Sequence, residues 1–122
     1  MTIEQRKELR LIPHDHTTVV LRPHFAKLGN LIDINKGGLS FQYIANEGKA
    51  EVSTHLDLFT NNSEFYLPSL PCKVAYDIGL PRNNTTLASL EYRRCGLEFG
   101  EFTQEQAARL ELYLEKHTAG TV

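Results

Sequence analysis

Short runs in which apolar and polar residues alternate, each cut by glycine, proline or asparagine, fill most of this chain. Alternation with a period of two is the mark of a half-buried strand, because successive side chains point to opposite faces of a sheet. Leu39, Phe41 and Tyr43 alternate strictly with Ser40 and Gln42 after Gly37-Gly38. Val52, Thr54, Leu56 and Leu58 do so again before Asn61-Asn62. Thr17 to Arg22 is β-branched and apolar and stops at Pro23. Phe65 to Tyr76 holds one or two strands bent by Pro68 and Pro71. Lys27 to Ile34 is less regular: Leu28, Ile32 and Ile34 share a face, which Asn30 interrupts just after Gly29. Leu87 to Phe99 is the longest run, and its apolar phase slips near Arg94-Cys95-Gly96, where a bulge is expected.

One helix follows the strands. Thr103 can cap it and Gln106, three residues on, completes a capping box, with Phe102 and Ala107 at the hydrophobic-staple positions. Ala107, Leu110, Tyr113 and Leu114 form one apolar stripe, while Glu105, Arg109, Glu111, Glu115 and Lys116 face water. Several short strands imply a barrel or sandwich, and the stripe needs a surface to cover. A small barrel with a C-terminal helix packed on it satisfies both.

The 122 residues suffice for one domain, and 41% apolar with 23% charged residues is an ordinary globular composition. No apolar stretch approaches the roughly 20 residues of a membrane span, and the charged start Met1-Thr2-Ile3-Glu4-Gln5-Arg6 is no signal peptide, so the cytoplasm is expected. A net charge of −2 argues against a DNA or RNA polymer as partner. Positive charge is instead local, at Arg6, Lys7 and Arg10 and again at Arg93 and Arg94, which suits a small anion. Cys72 and Cys95 sit among apolar neighbours and read as small buried hydrophobes. His14, Asp15, His16 and His24 lack the spacing to supply three or four metal ligands, so no metal is expected. No nucleophile elbow, phosphate-binding loop or zinc-protease helix is present, so no enzyme is expected either.

Two clusters carry chemistry: Arg6-Lys7-Glu8-Leu9-Arg10, ahead of the first strand, and Asp33-Ile34-Asn35-Lys36-Gly37-Gly38, joining two strands. Arginine meets phosphate oxygens in pairs and can also bond or stack on guanine. Aspartate accepts two hydrogen bonds at once, which suits guanine's N1–H and N2–H donors. Asn35 offers a donor and an acceptor, and Gly38 leaves room for a ligand against the backbone. An anionic guanine ligand can use all of these groups together.

In these motifs the chain resembles a PilZ domain, the family of bacterial cyclic di-GMP receptors, whose signature is Arg-x-x-x-Arg followed by Asp/Asn-x-Ser-x-x-Gly. Arg6 and Arg10 match the first motif; Asp33 and Gly38 match the ends of the second, with Asn35 in place of the usual serine. Leu70-Pro71-Cys72-Lys73-Val74-Ala75-Tyr76 and Arg94-Cys95-Gly96-Leu97-Glu98-Phe99 resemble the family's late strands. The resemblance implies a mainly β fold, a six-stranded antiparallel PilZ-type barrel (17–100) with an N-terminal arm (1–12) and a C-terminal helix (103–117), in a single domain. It implies cyclic di-GMP as ligand, without a cofactor, bound by Arg6, Arg10, Asp33, Asn35 and Gly38, with Lys7 and Gln5 as auxiliary positions. A downstream protein partner is implied too. If one hydrogen bond is lost at Asn35, the expected cost is about 0.5–1.5 kcal/mol. The alternative is a protein-interaction module of the same fold that binds nucleotide weakly or not at all.

Overall fold

The computed structural model describes residues 10–13, 16–22, 27–45, 54–61, 65–81 and 91–121. In chain order these form β1 (Leu11–Pro13), β2 (Thr17–Arg22), β3 (Lys27–Asn35), β4 (Gly38–Ala45), β5 (His55–Thr60), β6 (Tyr66–Gly79), β7 (Glu91–Phe99), α1 (Gln104–His117) and β8 (Thr118–Thr121). The strand order β2-β5-β6-β7-β4-β3 closes on itself because β2 also pairs with β3, giving an antiparallel six-stranded barrel. The expected architecture is therefore present. Two strands lie outside it. β1 pairs with the far end of β3, Leu11 opposite Ile34, and β8 pairs with β1.

The alternating residues of β4 behave as their pattern requires. Leu39, Phe41 and Tyr43 are buried, and Gln42 and Ile44 stand exposed on the outer face. The three buried residues pack with Val19 and Leu21 on β2, Leu31 and Ile34 on β3, Leu56 and Leu58 on β5, Leu67, Leu70 and Cys72 on β6, and Cys95 and Leu97 on β7. Burial pushes the Cys72 thiol up to about 11 and the Cys95 thiol up to about 12, so both stay protonated at neutral pH.

Two strands depart from the sequence reading, each for a backbone reason. In β3, Leu28 is 60% exposed, and the inward residues are Gly29, Leu31 and Ile34. The ladder to β4 skips Ile32, pairing Leu31 with Phe41 and Asp33 with Ser40; that bulge changes which face the later residues take. In β7 the phase does not slip: Arg93, Cys95 and Leu97 share one face throughout. The extra residue lies across the ladder, on β6, where Val74 pairs with Leu97 and Tyr76 with Gly96, leaving Ala75 over. An inward arginine and a glycine without a side chain imitated a slip. The one or two strands expected over Phe65 to Tyr76 are a single strand, Tyr66–Gly79, kinked where Pro68 and Ser69 face only Asp57. Ser69 takes a φ of 58°, and its N–H donates to Asp57 Oδ1 at 2.9 Å.

Helix α1 starts where expected, with both capping-box bonds formed: Gln106 N to Thr103 Oγ1 at 3.1 Å and Thr103 N to Gln106 Oε1 at 3.0 Å. Its buried residues are Leu110 and Tyr113, and the Tyr113 hydroxyl meets Thr17 Oγ1 at 2.7 Å. Ala107 is exposed, so it forms no staple with Phe102, whose ring packs on Phe99 instead, 5.1 Å between centroids. Arg109, expected in water, lies over the Phe65 ring and donates to the Tyr66 carbonyl. Thr103→Ala should cost about 1 kcal/mol, measured as a lowered urea midpoint with an unchanged slope.

Candidate functional site

Register across the sheet assembles the site. Because Leu39 and Phe41 point inward, Ser40 between them stands on the outer face, and the ladders place Asp33, Ser40, Gly96 and Tyr76 in one row across β3, β4, β7 and β6. The next row on the same face runs Asn30, Gln42, Arg94 and Ile78. The pairing of Leu11 with Ile34 brings Arg10 in from the other side, next to Asp33.

Asp33 stands on the outer face yet is only 2% exposed, because its partners cover it. Arg10 Nη1 and Ser40 Oγ donate to Oδ1 at 2.7 and 2.9 Å, and Arg94 Nη2 donates to Oδ2 at 3.1 Å and lies 3.0 Å from Ser40 Oγ. Two guanidiniums thus share one carboxylate, leaving a local surplus of positive charge. Arg94 Nε is buried and has no acceptor. A buried donor without a partner costs about 1–3 kcal/mol and is uncommon in a folded protein. Beside it, the Tyr76 ring lies flat on Gly96: a Cβ there would fall 2.2 Å from Tyr76 Cε2. The ring is 38% exposed and forms an aromatic floor to the site.

Arg93, the neighbour of Arg94, has a different part. It points into the barrel, where Nε donates to Asp77 Oδ1 at 2.7 Å and Nη1 to Glu91 Oε2 at 2.6 Å. Tyr43 donates to the other Asp77 oxygen at 2.6 Å. The hydrogen bond to Asp77 raises the Arg93 pKa above its ordinary value, against the opposing effect of burial. This network ties β4, β6 and β7 together; it is not available to a ligand.

Of the residues singled out in the sequence, Arg10 and Asp33 come together. Arg6, Lys7 and Gln5 lie outside the described residues. Asn35 is beside the cluster, but its Oδ1 accepts from Gly37 N at 2.8 Å and Gly38 N at 3.1 Å, so its acceptor closes the β3–β4 turn. The space above Gly38 is not open: a Cβ would fall 2.1 Å from the Leu97 carbonyl oxygen, so this glycine admits β7. Sequence reasoning marked the charge of Arg93 and Arg94 as suited to a small anion but did not join Ser40, Arg94 or Tyr76 to the Asp33 cluster. A further signal was that Arg94 and Tyr76 fall on the outer phase of their strands, where a lone cation and an aromatic ring have no core to fill.

No family model matches the chain, and no curated protein matches it. Solved structures do. MrkH from K. pneumonia in its apo state is similar over 95% of this chain, with a TM-score of 0.66 and 16% identity. This chain spans 52% of MrkH's length. The PilZ domain of YcgR from Escherichia coli, solved with c-di-GMP, is similar over 93% of each chain, with a TM-score of 0.62 and 10% identity. At such identities the likeness lies in the backbone, over 93–95% of this chain. The chain has the fold of a PilZ domain.

Proposed function

We propose that this protein is a receptor for the second messenger cyclic di-GMP, acting by binding rather than catalysis. The observation that carries this reading is the meeting of Arg10 and Asp33 at 2.7 Å on the outer face of the barrel, from positions 23 apart in sequence. Arg10 comes from the arginine motif and Asp33 from the hairpin motif, so one residue of each expected ligand group stands next to the other. The fold shared with a domain solved with c-di-GMP supports the same reading. Arg6 and Arg10 hold phosphate oxygens and guanine, and Asp33 accepts from the base edge. Closing the arm over the hairpin alters the surface a protein partner meets, so the ligand gates an adaptor serving motility, biofilm or exopolysaccharide control in the cytoplasm of a bacterium.

Calorimetric titration with cyclic di-GMP tests this directly. Wild type should bind, and Arg10→Ala should weaken binding by more than about tenfold, the loss expected for one charge-assisted contact. An isotherm without heat, or one that Arg10→Ala leaves unchanged, defeats the assignment.

A second reading has one observation in its favour: Asp33 and the Asn35 acceptor are already engaged by protein groups. A barrel satisfied in this way can serve as an interaction module with weak or no affinity for the nucleotide. Ligand bound to the folded state raises the melting temperature by mass action, so no shift at ~100 μM ligand favours the module.

A further inference from the structure

Arg10 and Asp33 each belong to one of the two ligand motifs; Arg94, on β7, belongs to neither. We propose, resting on the receptor reading, that Arg94 is a ligand-contacting residue, which leaves Asp33 and takes a phosphate oxygen of the bound dinucleotide.

Three observations converge on it. Arg94 Nε is buried without an acceptor, so the free protein holds this side chain in an arrangement that satisfies only part of its donor set. Its only ionic partner among the described residues is Asp33, which Arg10 already neutralises at the shorter distance, 2.7 against 3.1 Å. The remaining described acids of β6 and β7 are committed elsewhere: Asp77 and Glu91 to Arg93, and Glu98 to Lys73. One positive charge in the cluster therefore lacks a counterion, and a dianionic ligand supplies it.

The position also fits. The Arg94 side chain is 36% exposed, and its neighbours across the outer rows are Gln42 and Ile78, next to the row that holds Gly96 under the Tyr76 ring. When guanine donors arrive at Asp33, the carboxylate no longer needs a second guanidinium. Arg94 can then turn toward the phosphate with Nε and one Nη, the paired geometry an arginine offers and a lysine does not.

The test is titration of cyclic di-GMP into wild type, Arg10→Ala, Arg94→Met and Arg94→Lys at low and high salt. Arg94→Met should bind roughly tenfold more weakly than wild type at ~50 mM salt, the gap narrowing at ~500 mM as charge contacts are screened. A role confined to holding the barrel in shape does not give a gap that salt closes. Arg94→Lys keeps a cation on Asp33 and so should keep the melting temperature, yet bind about fivefold more weakly for want of the planar fork. Binding by Arg94→Met within about twofold of wild type, or a loss independent of salt, overturns the proposal while the receptor reading stands. If Arg94→Met does not fold, Arg94→Lys decides: an affinity equal to wild type overturns it. Absence of binding by wild type sinks both.

Discussion

Gly38→Ala should destabilise the protein by about 4 kcal/mol or more, while Gly37→Ala, one residue earlier, should be nearly neutral. The added methyl at position 38 would lie 2.1 Å from the Leu97 carbonyl oxygen, where ordinary contact begins at 3.4 Å. That oxygen is backbone, on a strand paired with β4 from Gly38↔Glu98 to Ala45↔Glu91, so relief requires β7 to move away along the ladder. Gly37 meets only the Asn35 side-chain oxygen at 3.5 Å, and neither it nor Lys36 takes a positive φ. Alanine there fits the native backbone and reduces the freedom of the unfolded chain. Thermal melts of the pair should differ by ~15 °C. A Gly38→Ala protein that melts like wild type but no longer binds cyclic di-GMP would instead return this glycine to the ligand.

The two glycines show where sequence reading succeeds and where it stops. A turn at Gly37-Gly38 is local chemistry and was legible, as were the strict alternation of β4 and the capping box at Thr103. Each is decided within a few residues. The reason for Gly38 lies on a strand some sixty residues away, and nothing near position 38 records it. The same limit hid Arg94 from the site: its contact with Asp33 spans 61 positions and depends on the β3–β4 and β4–β7 registers both being known. Bulges did further damage, because one extra residue exchanges the faces of a strand. In β3 the skipped Ile32 turned an apparent face of Leu28, Ile32 and Ile34 into one of Gly29, Leu31 and Ile34. β8, four residues directly after the helix, carries no pattern that sets it apart; it forms because the helix delivers the chain to the free edge of β1. Arg10 and Asp33, by contrast, were legible as a pair through the two motifs that resemble the PilZ signature, although only the fold shows that they touch.

Asp33→Ala is expected to have the largest effect on binding of any single change, about a hundredfold or more, with a loss of stability near 2–3 kcal/mol. Three donors converge on this carboxylate, and removing it leaves the Arg10 and Arg94 guanidiniums side by side without an anion between them. The stability cost falls at the low end for a broken buried pair because both arginines, 30% and 36% exposed, can still reach water. In the proposed complex binding suffers more, since the expected acceptor for the base edge and the partner of Arg10 vanish together. Asp33→Asn separates these parts: it keeps an oxygen for Ser40 or Arg10 but not the charge, so it should lose less stability than alanine and still bind poorly. Arg94→Met placed on top of Asp33→Ala removes the stranded cation and should cost little further stability, or restore some. A double-mutant cycle over the two positions should therefore show about 1–3 kcal/mol of coupling in denaturant melts. Strict additivity would mean that Asp33 holds the arm through Arg10 alone, and that the contact from β7 contributes nothing to the folded state.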